Sequence, residues 1–379
     1  MRRNSLFRSL LLDMNGLVQD IDGNIYRTII IGNQEWIVEN LKVTTYADDS
    51  KIPNITESNT TDWFLPSKDE LAAMYTNLHA EGVGGFTTVS PYMSSSEADT
   101  FTFHQQAFAT GVASTVGKGS SISVRACRTF TGTVLAYPLR SYGPAGGLIF
   151  AHDGGLVYEA APADNSNSQV WSNISGQLIG ATAQGTAIGT GVTNTAAIIG
   201  QAGHTTSGAK LCDDYSYGWV DDTTGAYCWY DNDIANKADY GALYNWYAVD
   251  NAAGLVYLER NGVSETDWRV PTEADWLSLT TLLGGNAVAG GKLKSVGYDY
   301  FDVPNTGATD EYGFRGRAGG SRSTTGVFTG LRTNGNHHQS DLSTGNYVSR
   351  VLFSSFTSLG STTALNGNGG YSVRLVRDV

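Results

Sequence analysis

The chain has 379 residues, 46 of them glycine, with 24 Lys and Arg against 36 Asp and Glu and a formal net charge of -12. That acidity argues against the basic footprint of a phosphate-backbone reader, so nucleic acid is not an expected partner. No apolar run approaches a membrane span, so no membrane insertion is expected, and the wealth of Gly, Ser, Thr, Asn, Tyr and Trp suits compact, loop-rich folds rather than coiled coils or disordered tails.

Residues 1–15 read as a leader or docking segment: basic at first, then only Leu10, Leu11 and Leu12 in succession before Asp13, too short an apolar run for a secretory signal. Asp22-Gly23-Asn24 signals a tight turn, and the β-branched run after it predicts a strand. The acidic spacing is similar to a calcium loop, but the glycine comes too early and no glutamate follows at the twelfth position, so calcium is not expected.

Two later segments spell nearly the same text, Thr61-Asp62-Trp63-Phe64-Leu65-Pro66-Ser67-Lys68-Asp69-Glu70-Leu71 and Thr266-Asp267-Trp268-Arg269-Val270-Pro271-Thr272-Glu273-Ala274-Asp275-Trp276. Each predicts a strand that Pro66 or Pro271 ends and a helix that Ser67 or Thr272 caps, with Glu70 or Asp275 completing a capping box. The first helix continues through Ala72, Met74 and Leu78; the second runs through Trp276, Leu279 and Leu283 to a stop at Gly284-Gly285. Trp63, Trp268 and Trp276 are expected in the core. Each opener has a matching closer, Ser123-Val124-Arg125-Ala126-Cys127-Arg128 and Ser372-Val373-Arg374-Leu375-Val376-Arg377, so the chain carries two copies of one fold unit.

Cys127, Cys212 and Cys228 form neither a C-x-x-C nor a Cys/His metal spacing, and whether Cys127 and Cys212 pair is left open. Of six histidines only His337 and His338 are adjacent, and neighbours on a strand point to opposite faces, so solvent or partner contact is expected rather than chelation. No H-E-x-x-H, G-x-S-x-G or P-loop pattern occurs, and Gly189-Thr190-Gly191 is a lone glycine-rich turn. Neither an enzyme nor a cofactor or metal is expected.

Asp20 to Leu41, Tyr46-Ala47-Asp48, Ile52-Pro53-Asn54, Gly225 to Asp233, Tyr240 to Val249, Trp268 to Leu283, Gly290 to Lys294, the Gly319-Gly320 turn and Ser372 to Arg377 together resemble the Fibrobacter succinogenes major paralogous domain family. Between those parts, Phe64 to Leu71, Ser94 to Glu97 and Arg125 to Arg128 resemble the later half of an Lcl C-terminal-like domain. Gly143 to Phe150, Ala160 to Pro162, Ala187 to Gly191 and Leu211 to Asp214 resemble its earlier half. That order implies a circularly permuted copy of the second family, residues 64–219, inserted into the first, residues 16–63 and 220–379; the rival is a linear tandem of 16–130 and 140–379. The resemblances imply an α+β fold of two C-type lectin-like domains, one nested in the other, with two helices each, short twisted antiparallel sheets and long loops. Lectin-like folds also host formylglycine-generating enzymes, but the cysteine spacing here does not match that site, and neither E-P-N nor Q-P-D, the calcium and sugar motifs of true C-type lectins, occurs.

Where the family is aromatic, the last sixty residues of this chain scatter to Asn, Ser, His, Leu and Phe. That scatter resembles the variable region of proteins diversified by a retroelement, whose changed side chains cluster on one exposed face. The resemblance implies a ligand-binding face of Ser321, Ser323, Asn336, His337, His338, Ser340, Asp341, Asn346, Tyr347, Ser349, Arg350, Phe353, Ser355, Thr357, Asn366, Asn368 and Tyr371. Rigid aromatics with adaptable Ser and Asn are the composition of a paratope. The expected protein is a phage or prophage tail adhesin, made in the host cytoplasm and carried on the virion tail. It would bind a bacterial surface receptor, protein or glycan, and dock on other tail proteins or sister chains. The alternative is a bacterial surface or secreted structural protein.

Overall fold

The computed structural model describes residues 16–379, which divide into two compact units. A split unit takes in the chain up to Ser58 and again from Trp219 to Val379; a continuous unit is Asn59–Gly218. The fold is α+β, with several short, mostly antiparallel sheets and few helices. The leader expected over 1–15 lies outside the described residues.

The split unit opens with β1 (Leu17–Asp20), β2 (Ile25–Ile31) and β3 (Gln34–Ile37). The buried Asp20 carboxylate closes the β1–β2 turn by accepting the backbone N–H of Asp22 and Asn24 at 3.0 and 2.9 Å and the Tyr26 hydroxyl at 2.6 Å. The continuous unit follows, with α1 (Lys68–Asn77), β4 (Tyr92–Glu97), β5 (Thr102–Ala107), β6 (Val112–Gly117), β7 (Ser121–Val124), β8 (Cys127–Thr131), β9 (Leu148–Asp153), β10 (Leu156–Ala160), β11 (Ser166–Val170), α2 (Gly191–Ile199) and α3 (Gly208–Asp213). Its sheets run β11-β7-β4-β5-β6 and β8-β10-β9.

The split unit resumes with β12 (Tyr227–Cys228), α4 (Lys237–Tyr240), β13 (Leu243–Tyr244), α5 (Trp246–Val249), β14 (Leu258–Arg260), β15 (Val263–Glu265), α6 (Glu273–Leu282) and α7 (Asn286–Leu293). It ends with β16 (Gly319–Arg322), β17 (Phe328–Leu331), β18 (Asn334–His338), β19 (Tyr347–Phe353), β20 (Leu359–Ala364) and β21 (Val376–Asp378). Its sheets run β15-β14-β1-β2-β3-β21, β17-β16-β18-β19-β20 and β12-β13. The stretch Tyr240 to Val249 is two one-turn helices around a strand, because Gly241 at φ +74° ends α4 and Asn245 caps α5. Gly319-Gly320 starts β16 instead of forming a free turn.

Both capping boxes form. The Glu70 carboxylate accepts the Ser67 N–H at 2.6 Å while Ser67 Oγ accepts the Glu70 N–H at 3.3 Å; for Asp275 and Thr272 the distances are 2.9 and 3.2 Å. Glu70 is fully buried, and burial raises its pKa, but its other oxygen accepts the Gly189 N–H at 2.7 Å. A Cβ on Gly191 would collide with that carboxylate and with the Phe64 ring. The lone glycine-rich turn is therefore the socket of a buried glutamate rather than a phosphate cradle.

Openers and closers pair in the same register in both units. Phe64 bridges Cys127 and Arg269 bridges Val376; Tyr92 pairs parallel with Ser123 and His337 with Ser372. Ser95 N–H donates to Pro66 O at 2.7 Å, as Ser340 N–H does to Pro271 O at 2.9 Å. Arg128 reaches Asp62 at 2.8 Å and Glu159 at 3.1 Å, and Arg377 reaches Asp267 at 3.4 Å and Glu35 at 2.6 Å. Each guanidinium also lies over the opener's tryptophan, Trp63 at 5.8 Å and Trp268 at 5.1 Å. The repeated letters are thus one interlocking device made twice. One difference is connectivity: the strand carrying Glu35 precedes its opener, whereas the strand carrying Glu159 follows its closer.

Trp63 (2 % exposed), Trp268 (5 %) and Trp276 (1 %) are core residues, and the three cysteines are buried free thiols, with burial raising the pKa of each. The chain leaves and re-enters each unit through neighbouring, hydrogen-bonded segments. Trp219 N–H donates to Glu57 O at 2.9 Å and Val220 N–H to Ser58 O at 3.0 Å in the split unit; in the continuous unit Thr60 N–H donates to Tyr217 O at 3.0 Å.

Candidate functional site

The C-terminal sheet of the split unit holds an open groove of about 540 Å³. Four expected site residues line it: Ser321 in β16, Ser323 just after it, Asn366 in the loop after β20, and Tyr371. Asn336 contributes from β18, although its side chain is buried and its amide donates to Gly320 O at 3.3 Å. Six more lining residues were not singled out from sequence: Thr324, Asn334, Thr362, Thr363, Ala364 and Leu365. For Thr362 to Leu365 the signal is the absence of any charged residue from Val351 to Val373.

Beneath the groove the scaffold is fixed. Tyr371 is half-buried with its ring edge against His338, 5.1 Å between centroids, and Ser349 Oγ shares a 2.6 Å hydrogen bond with Thr362 Oγ1. The loop that presents Asn366 is held from behind: Trp219 Nε1 donates to Asn368 O at 2.6 Å, the Asn368 amide donates to Trp219 O and Asp222 O, and Trp246 N–H donates to Gly367 O at 2.8 Å. Among the described residues no group of three or more His, Cys, Asp or Glu is placed to hold a metal ion, and no helix is long and apolar enough to cross a membrane.

Several expected contact residues are internal. His337 and His338 are 1 % and 2 % exposed, and Asn336, Ser349 and Asn368 are also buried. The histidines do point to opposite faces, but β18 lies between β16 and β19 with both of its faces covered. His337 packs 6.1 Å from the Trp276 ring with Nε2 3.3 Å from Asn40 Oδ1, while His338 Nε2–H donates to Tyr244 O at 2.7 Å. Burial pushes their pKa values down to about 3 and about 4. They correspond in register to Tyr92 and Met93 of the continuous unit, both core residues. Solvent or partner contact is therefore closed to this pair.

The remaining candidates do not gather at the groove. Asp341 accepts the Glu273 N–H at the start of α6 at 2.7 Å, Ser340 donates to Val270 O at 3.1 Å, and Arg350 is tied to Gln339 and Glu273. Asn346 sits in the turn closed with Ser343, and Tyr347 packs edge-on to Trp246 at 5.0 Å. Phe353, Ser355 and Thr357 lie at the opposite end of the β19–β20 hairpin from Asn366, about 20 Å along seven residues of strand. There Lys294, pushed by burial down to about 8, donates to Thr306 O, Phe353 O and Phe356 O at 2.7–3.0 Å and locks that end.

Residues 192–377 match the model of the Fibrobacter succinogenes major domain, a span that includes the groove and the whole C-terminal sheet. No curated protein and no solved structure matches the chain.

Proposed function

We propose that this is a non-catalytic binding protein whose ligand sits in the groove between β16, β18 and β20. The observation that carries this reading is a polar cleft with exposed, hydrogen-bonding side chains at Thr362, Thr363 and Asn366 over a braced, buried scaffold. Preorganised backbone under variable Ser, Thr and Asn lowers the ordering cost of binding. In this reading both units are C-type lectin-like, the continuous one a permuted insert, and the protein is a phage or prophage tail adhesin recognising a bacterial surface receptor. The shared register of the two openers and closers, with the partner hairpin on opposite sides of them in sequence, supports the permuted relation.

Labelled full-length protein should bind a subset of strains in a bacterial panel, and Thr363→Arg, at an exposed position, should reduce that binding at least tenfold with unchanged thermal unfolding. Equal binding by the variant would rule the groove out.

Diversification by a retroelement makes a separate prediction. In natural populations, substitutions at adenine-templated codons should concentrate at Ser321, Ser323, Thr362, Thr363 and Asn366 and leave Ser372 to Val379 fixed. An even spread along the chain would favour the alternative, a bacterial surface or secreted structural protein.

A further inference from the structure

The side chains lining the groove define a chemistry narrower than binding in general. Six of them carry hydroxyls, at Ser321, Ser323, Thr324, Thr362, Thr363 and Tyr371. Asn334, Asn336 and Asn366 add carboxamides, and only Ala364 and Leu365 are apolar. No Lys, Arg, Asp, Glu or His lines it. The nearby Arg322 is fully buried and turned away, with its guanidinium donating to Ile55 O at 2.6 Å and stacked 4.5 Å from the Trp219 ring.

Each ligand class asks something different of such a surface. A phosphate, sulfate or uronate calls for Arg, Lys or a cluster of free N–H donors, and the net charge of -12 works against any anion. A cationic ligand calls for carboxylates. A protein epitope calls for a desolvated aromatic, aliphatic or arginine anchor at the centre of the patch, whereas the apolar contributors here are two side chains, one of them, Leu365, 92 % exposed. Hydroxyls and carboxamides both donate and accept, so a surface made of them matches a ligand whose own groups do the same. Tyr371 adds one half-buried ring whose hydroxyl stays within reach of Ser349 and Thr362.

We infer that the groove takes an uncharged, polyhydroxylated ligand: a neutral oligosaccharide, bound without a metal ion through Thr362, Thr363, Asn366, Ser321 and Tyr371. This assignment rests on the groove being the binding site. A volume of about 540 Å³ accommodates a short segment of chain rather than a whole polysaccharide, so recognition is of two or three sugar residues within a longer polymer.

The test applies full-length protein, in chelator, to an immobilised array of neutral and anionic bacterial oligosaccharides, with Thr363→Arg and Asn366→Arg alongside. Both replaced residues are exposed, so the variants should fold, and matching thermal unfolding verifies it. Retention on neutral members at least tenfold above anionic ones, lost in both variants, is the expected result. Retention on anionic members, or none on the array, overturns the neutral-sugar assignment. If cell binding is then abolished by protease and by Thr363→Arg but survives periodate, the ligand is a protein and the groove reading stands. Array retention equal in wild type and variants overturns the groove itself.

Discussion

Acidifying from pH 7 to about pH 4.5 should cost the split unit about 5 kcal/mol through His337 and His338 alone, each held about two pH units or more below the unfolded value at about 1.4 kcal/mol per unit. The sign follows from burial. Both imidazoles are depressed in the folded state, so below the ordinary histidine pKa the unfolded chain binds protons that the folded chain refuses. Stability is complete above about pH 6.5 and falls as pH drops toward the folded values. Glu35 and Asp275, whose pKa values arginines and hydrogen bonds lower against their burial, lose their stabilisation below that range, as pH falls from the ordinary carboxylate values toward their depressed ones. The readout is therefore the difference in slope between wild type and the double variant His337→Gln, His338→Gln, from denaturant unfolding at several pH values. The variant should be flatter between pH 6.5 and 4.5 whatever its absolute stability. Identical slopes would mean that the imidazoles accept protons in place.

The second large effect lies in the continuous unit, where Lys118 and Glu97 form a salt bridge of 2.6 Å with both side chains inaccessible. Glu97 also accepts the N–H groups of Ile179 and Gly180 at 2.9 Å each, and Lys118 donates to Gln177 O at 2.8 Å beneath the Trp171 ring. Glu97→Ala leaves an ammonium without its counter-charge and two N–H groups without acceptors, and should destabilise by about 3–5 kcal/mol. Lys118→Met should cost less, because the carboxylate keeps both N–H donors and the methionine chain fills the space over Trp171. Tryptophan fluorescence during urea unfolding would measure both. A Glu97→Ala loss below about 1 kcal/mol would show that water reaches the pair.

What sequence made legible was local and repeated. A proline followed by Ser or Thr and, three residues on, by Glu or Asp specifies a cap whose bonds are all short-range, and the repeat marked which tryptophans must be inside. The histidine error has a different origin. Period-two alternation correctly sends His337 and His338 to opposite faces, but it does not say whether α6 and the Tyr371 segment cover those faces, since such cover is brought from tens of residues away. The groove failed to show for the same reason. Thr362 and Thr363 become neighbours of Ser321 and Asn334 only once β19 has folded back between β18 and β20. Residue type suggested a polar surface; only tertiary pairing says which polar residues share it.

The paired exits at Glu57–Ser58 and Trp219–Val220 have a consequence for how such a chain changes over generations. Because the two ends of the split unit's interruption are hydrogen-bonded neighbours, and the continuous unit's own ends meet at Thr60 and Tyr217, residues 59–218 behave as a cassette. A short turn joining Ser58 to Trp219 would leave every ladder of the host sheets in register, and a foreign domain with adjacent termini could occupy the same slot. Recombination at this one junction would alter what the protein carries without disturbing the groove that β16, β18 and β20 build.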